Sequence, residues 1–294
     1  MQDSQVNGFA NDNFYCNFWD CPDDESIFKL SEFLYKEGIT SFLATLITDS
    51  IDGFEKNLKR IQEFKLKHYS SQAEAHEKNL AYIAGVHIEG GLISRMGVHP
   101  EKYSSEINLK NAQDLINKFP DLIKLWTLCP MKDTNGDITR LAQDSNIKVS
   151  YGHTEADYET AMDCFEKYQV RMVTHWGNAM NVMKNFKQRD CSQKNLLYLE
   201  RTDLNSSNLG LGYAAYHHPE VSCMAICGSE EDYDLHLDPR LFKHLASKKK
   251  EKLILVSDMV AYRGELPPPH LVGGLASLKK HYRNFSAIAA RLRY

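Results

Sequence analysis

Short apolar runs rich in β-branched residues alternate along the chain with segments whose apolar positions recur every three to four residues. The runs Gln5–Asn7, Thr40–Leu46, Gly85–Glu89, Ile123–Cys129, Ile147–Gly152, Met172–Trp176, Val221–Cys227 and Leu253–Ser257 read as eight strands, the first short and carried by three residues. Between them, Ile27, Leu30, Phe33 and Leu34 mark one helix face. So do Phe54, Leu58 and Ile61, then Ala112, Leu115 and Ile116, then Tyr158, Ala161, Met162 and Phe165. Strands that alternate with helices imply a parallel sheet with crossover connections. Eight such units in 294 residues suggest a closed (β/α)8 TIM-type barrel. The doubly wound open sheet is the alternative, but the glycine-rich phosphate loop it carries after strand one is missing.

Residues 1–294 therefore read as a single barrel domain with an insertion at about 190–208. That insertion, the polar stretch Asp190–Asn208, and the acidic stretch Ser229–Asp234 both follow strands, where barrels place lids. Read blandly, both are solvated surface insertions.

Charge and composition narrow the class. Lys and Arg total 35 against 39 Asp and Glu, a net charge of −4 with no basic stripe, which argues against a general nucleic-acid binder. No apolar run approaches the ~18–20 residues that span a bilayer, so no membrane partner is expected. The first eight residues have neither a basic region nor an apolar core, so no signal peptide is expected. Seven cysteines, an odd number with no CxxC pair, favour reduced thiols in a cytoplasmic protein.

In a barrel the chemistry gathers where strands end. Strand three ends in His87-Ile88-Glu89-Gly90, strand five in Gly152-His153-Thr154, strand six in Thr174-His175-Trp176, and strand eight in Ser257-Asp258. Two imidazoles and a carboxylate suit Zn²⁺ or another divalent first-row ion and leave a position open for water. Metal binding lowers the pKa of that water to give hydroxide near neutral pH. Asp258, a carboxylate outside the ligand set, is placed to shuttle the proton. A lone buried histidine is more often a hydrogen-bonded core residue, and Asp258 read blandly is a helix N-cap. Convergence on one barrel mouth favours the functional reading.

These residues carry a resemblance. The chain resembles the N-acetylglucosamine-6-phosphate deacetylases of the amidohydrolase superfamily, from Gln5 to about Ser277. The likeness lies in Gln5-Val6-Asn7-Gly8, Gly38 to Thr48, His87-Ile88-Glu89-Gly90 with Gly97-Val98-His99, and Gly152-His153-Thr154. It continues in Thr174 to Met180, Leu235-His236-Leu237-Asp238-Pro239 and Leu253 to Asp258. The resemblance implies Glu89, His153 and His175 as ligands of one divalent metal, Zn²⁺ foremost, with Fe²⁺, Mn²⁺ or Co²⁺ as alternatives. It implies Asp258 as the catalytic acid–base, His99 and His236 as substrate contacts, and Asn178 and Ala179 as a phosphate- or sugar-binding turn. The His-x-His pair that binds a second metal in many amidohydrolases reads Gln5-Val6-Asn7 here, as in the single-metal branch; Gln5 is placed to touch the metal through water. The implied reaction is hydrolysis of an acetamide, with His99 or His236 stabilising the oxyanion.

Departures from the pattern leave alternatives open. Gly91-Leu92 replaces the usual Pro-Phe, and Leu128-Cys129-Pro130-Met131 lacks the carboxylate of the family's Leu-Ala-Pro-Glu. The family's arginine that reaches a phosphate across a homodimer interface has no clear counterpart; Arg189 is the foremost choice, with Lys187 and Arg201 behind it. The chain begins at the first barrel strand and ends soon after the last helix, so the expected architecture lacks the family's accessory β-sandwich. The expected substrate is an amino sugar, N-acetylglucosamine-6-phosphate first. An amidohydrolase acting on a different N-acyl compound, or a non-catalytic homologue that binds a sugar or a partner protein, stands behind it.

Overall fold

The computed structural model describes residues 1–10, 14–97, 99–184, 186, 199–226 and 237–259. The chain starts on β1 (Gln2–Val6), passes through an antiparallel hairpin, β2 (Gly8–Ala10) and β3 (Tyr15–Asn17), and reaches α1 (Asp24–Lys36). There follow β4 (Ser41–Ile47), α2 (Ile51–His68), α3 (Gln72–Glu77), β5 (Tyr82–Glu89), α4 (Leu109–Lys118), β6 (Ile123–Leu128) and α5 (Asp137–Asp144). Then come β7 (Lys148–Tyr151), α6 (Tyr158–Tyr168), β8 (Met172–Val173), α7 (Leu211–His217), β9 (Ser222–Ile226), α8 (Pro239–Lys249) and β10 (Leu253–Val256). One parallel sheet runs in the order β1-β4-β5-β6-β7-β8-β9-β10. All eight expected strands are present and the barrel reading holds. The hairpin strands are three residues each, too short for a period-two pattern to be read. Only two residues of the expected Met172–Trp176 run form strand, because the chain bends away at Thr174 and His175.

Local chemistry starts the helices on cue. Asp23, Ser50 and Asp157 each accept a hydrogen bond from the backbone N–H three residues on, and Asn108 with Asn111 forms a reciprocal capping box. The helices then cover the outward side chains of the strands. Phe42, Ala44, Leu46, Val86, Ile88, Trp126, Leu128, Val149, Tyr151 and Val173 belong to one continuous apolar cluster with the helix faces.

Alternate residues point into the barrel. Leu125, Met224, Ile226 and Val256 form a separate apolar plug there, joined by Leu43, Met172 and Ile254. Beside the plug the interior is polar. His87 Nε2 lies 2.8 Å from Thr127 Oγ1, which meets Thr174 Oγ1 at 2.7 Å, and Ser150 Oγ meets Thr174 Oγ1 at 2.6 Å. Each fully buried Leu, Ile or Phe of the outer layer contributes about 1.5–3 kcal/mol, so the strand–helix layer holds the fold and frees the interior to carry polar groups.

The barrel closes between β1 and β10 with few ladder bonds. Asn7 and Gly8 N–H both donate to the Met259 carbonyl, at 2.8 and 2.9 Å, in a parallel bridge of Val6 with Met259. Lower down, a carboxylate takes the place of a ladder acceptor: Asp3 accepts from Gln5 N–H at 3.0 Å and from Ser257 N–H at 3.3 and 3.4 Å.

Among the described residues no helix is long and apolar enough to cross a membrane. The described cysteines Cys16, Cys21, Cys129, Cys164 and Cys223 are free thiols. Cys191, Cys227, the acidic stretch Ser229–Asp234 and residues 190–198 of the expected insertion lie outside the described residues. The insertion's return leg packs down, with Leu199 buried and Tyr213 and Tyr216 hydroxyls donating to Arg201 and Glu200.

Burial pushes the Asp3 carboxyl up from 3.8 to about 6, so its folded form holds a proton more tightly than its unfolded form. Its contribution to stability is therefore complete below pH 3.8 and is lost as pH rises through 6. The loss amounts to about 3 kcal/mol. Urea denaturation from pH 4 to 7 is expected to show this fall in the wild type and a flatter profile in Asp3→Asn, whose amide oxygen can still accept.

Candidate active site

Three side chains reach the barrel mouth by one local device. His153, His175 and Asp258 are each the second residue past the end of their strand, β7, β8 and β10. Each adopts a left-handed backbone, with φ of 47°, 30° and 48°. A non-glycine residue in that region costs about 1–2 kcal/mol. The turn swings each side chain off the strand and over the mouth. Glu89 arrives differently, as the last residue of β5, with the tight turn falling on Gly90 (φ 117°) and Gly91 (φ 74°).

The three expected metal ligands converge. Glu89 Oε1 lies 2.8 Å from His175 Nε2 and 3.1 Å from His153 Nε2, and the two Nε2 atoms lie 3.1 Å apart. All three side chains are buried. Among the described residues no other group of His, Cys, Asp and Glu is arranged to hold a metal. The far ring nitrogens fix the chemistry of the near ones. His153 Nδ1 sits 2.7 Å from the Arg95 carbonyl and His175 Nδ1 sits 3.2 Å from the Asn178 carbonyl. A carbonyl only accepts, so each Nδ1 carries the hydrogen, and each neutral ring presents a bare Nε2 lone pair to the centre. Three lone-pair atoms about 3 Å apart repel unless positive charge lies between them. Ligands held at about 2.0–2.2 Å in tetrahedral array have edges of about this length, so the donor set fits a single divalent ion.

Without a metal, protons supply that charge. Burial works against the charged forms, but the hydrogen bond and charge of Glu89 raise the His175 pKa above its ordinary value. Burial likewise opposes ionised Glu89, yet its bonds to His153 and His175 hold it well below the usual carboxylate range.

Asp258 stands beside this cluster. Burial, and then the charge of Glu89, push its carboxyl from 3.8 to about 8. Its Oδ1 accepts a hydrogen bond from Asn7 Nδ2 at 2.8 Å. The possible helix cap after Asp258 falls on residues outside those described. His99 packs on His153 with ring centroids 4.3 Å apart. Its Nδ1 accepts from the Thr48 backbone N–H at 3.3 Å and lies 2.9 Å from Thr48 Oγ1, so Nε2 bears the hydrogen. Burial, then the neighbouring His153, push its pKa down to about 3, which leaves a neutral hydrogen-bond donor. Gly90 makes this packing possible: a Cβ there would lie 1.9 Å from Thr48 Oγ1 and 3.3 Å from His99 Nδ1.

Asn178 and Ala179 form a half-buried turn at the mouth, with Ala179 in the left-handed region (φ 48°) and its carbonyl accepting from Thr154 N–H at 3.0 Å. Gln5 lies on β1, fully buried, and neither of its amide atoms has a hydrogen-bond partner among the described residues. His236 and Arg189 lie outside the described residues, as does Lys187; Arg201 pairs with Asp203 on the surface. Sequence reasoning missed Arg95. Its exposed guanidinium donates to Asn181 Oδ1 at 2.9 Å, three residues beyond Asn178, and its carbonyl holds His153. The one available signal was its place in the loop between Glu89 and His99. Asn7 stands in a motif that marks no role for its side chain, because its partner lies 251 residues away.

No family model matches the chain. It is 32% identical over 154 residues to N-acetylglucosamine-6-phosphate deacetylase of Bacillus subtilis (strain 168), a match covering 52% of this chain and 37% of that protein. It is 26% identical over 277 residues to the deacetylase of the same name from Mus musculus, covering 92% of this chain and 59% of the relative. Its fold is similar to the crystal structure of N-acetylglucosamine-6-phosphate deacetylase from Pasteurella multocida, with a TM-score of 0.68, 24% identity, and coverage of 89% of this chain and 58% of that one. The chain thus spans less than two thirds of the length of the relatives it matches. The resemblance read from the motifs is borne out by these relatives, and the barrel by the solved structure.

One divalent ion per chain is expected from the donor set. Because the ion competes with protons on imidazoles, of which His175 has a raised pKa, affinity should fall as pH is lowered. Chelator-competition titrations at pH 7.5 and 5.5 check this, and Glu89→Gln should weaken binding by at least about tenfold.

Proposed function

We propose that this chain is a metal-dependent deacetylase that hydrolyses the acetamide of N-acetylglucosamine-6-phosphate to glucosamine-6-phosphate and acetate. The observation that carries the reading is the convergence of Glu89, His153 and His175 donor atoms beside the Asp258 carboxyl. The names of the sequence relatives support it.

A divalent cation held by Glu89, His153 and His175, Zn²⁺ first and Fe²⁺, Mn²⁺ or Co²⁺ behind it, supplies Lewis-acid polarisation of the amide carbonyl and acidifies water beside it. Asp258 takes a proton from the attacking water as the C–O bond forms. It returns that proton to the nitrogen as the C–N bond breaks, so acetate and a free amine leave. Burial raises its proton affinity, which suits the second half of this cycle. His99, neutral with its hydrogen on Nε2, donates to the oxygen that gains charge. His236 is the second candidate for that role, and Gln5 for a water contact at the ion. Asn178 and Ala179 offer the sugar or its phosphate a turn at the mouth, and Arg95 offers a guanidinium suited to phosphate. Arg189 reaching across a homodimer would add a second cation to the same proposal.

One observation favours a second reading, an amidohydrolase acting on another N-acyl compound: Lys187-Gln188-Arg189-Asp190 does not reproduce the family's phosphate-binding segment.

Acetate release by metal-loaded protein tests both readings, with N-acetylglucosamine-6-phosphate beside unphosphorylated N-acetylglucosamine and other N-acyl compounds. Turnover of the phosphorylated sugar is expected. Asp258→Asn should lower kcat by about 10²- to 10⁴-fold with its metal content retained. Arg95→Ala should raise KM for the phosphorylated sugar by about tenfold or more and leave the unphosphorylated one unchanged. No turnover of any acetamide by the loaded protein would overturn the enzyme reading.

A further inference from the structure

The contact between Asn7 and Asp258 joins the first strand of the barrel to the last, yet the seam does not need it. The backbone already closes there, through Asn7 and Gly8 N–H to the Met259 carbonyl. Phe18 N–H also donates to the Asn7 carbonyl at 2.9 Å, so the Asn7 backbone is held on both sides. The side chain, 1% exposed, is then free for another task, and it is spent on one oxygen of Asp258. Among the described residues no other donor reaches that carboxyl. Asp258 itself stands in a left-handed turn, two residues past the end of β10.

We propose that Asn7 is a positioning residue for Asp258, holding Oδ1 so that Oδ2 alone exchanges protons with the reacting atoms. This rests on the deacetylase reading above. An amide N–H donates and never accepts. While Asn7 presents its N–H to Oδ1, that oxygen stays unprotonated and the proton is carried by Oδ2. With Asp258 ionised, as it must be to take a proton, the reverse orientation of the amide would set two unprotonated oxygens 2.8 Å apart. A histidine or lysine at this place would add a charge of its own; an amide orients the carboxyl without competing for the proton.

The test uses the full chain loaded with Zn²⁺ and compares wild type with Asn7→Ala and Asn7→Asp. Both variants should keep one metal per chain, a melting temperature within a few degrees, and KM within about threefold, while kcat falls about ten- to a hundredfold. In Asn7→Asp a carboxyl of the same shape faces Asp258, and the acid limb of the rate profile should move up by about one pH unit. A second measurement reads Asp258 without turnover: its carboxyl band in infrared difference spectra, assigned by its loss in Asp258→Asn. That band should titrate higher in Asn7→Ala than in wild type. The other charges that Asp258 feels, Glu89, His175 and Asp3, are unchanged between these proteins. An unchanged kcat in Asn7→Ala, or a loss matched by loss of metal or of stability with the band unmoved, would overturn the proposal. If the wild type hydrolyses no acetamide, the deacetylase reading fails by itself, and a band that titrates identically in wild type and Asn7→Ala overturns the positioning role.

Discussion

The meeting of the first strand with the last is the constraint on which the rest of this molecule depends. Seven strand neighbours are joined by ordinary parallel ladders; β1 and β10 are joined by two N–H groups sharing the Met259 carbonyl and by the Asp3 carboxylate standing in for missing ladder acceptors. Because the join is made at the mouth, closing the barrel and delivering Asp258 to the cluster of Glu89, His153 and His175 are one event. Had the sheet stayed open, Asn7 and Asp258 would sit on opposite edges.

Closure also decides the electrostatics. A sealed interior removes water from Glu89 and two imidazoles, and buried charge is costly unless it is paired. The carbonyls of Arg95 and Asn178 remove the cheap escape, a change of tautomer, by pinning both Nδ1 hydrogens. What remains is a centre that demands positive charge from outside the polypeptide. The hydroxyl chain from His87 through Thr127 and Thr174 to Ser150 lines the interior in the same spirit, its polar atoms partnering one another.

Much of this was legible in the sequence, for a definite reason. The outward strand faces must be apolar to pack under helices, so Phe42-Ala44-Leu46 and Val86-Ile88 announce their strands. Glu89, His153, His175 and Asp258 were legible because barrel chemistry gathers at strand ends. What escaped was set by tertiary contact. Arg95 has no motif, and its meaning comes from Asn181. Asn7 is an asparagine after a short strand until Asp258 arrives from the other end of the chain. Backbone handedness at His153, His175 and Asp258 escaped as well, since glycine, its plainest signal, is absent there.

That handedness has an energetic edge. Three positions hold side chains where the backbone would rather have none, and together they cost the fold on the order of 3 kcal/mol or more. Glycine at any of the three would ease the backbone and take a donor atom away from the mouth, so local comfort and the converging cluster pull in opposite directions at these places.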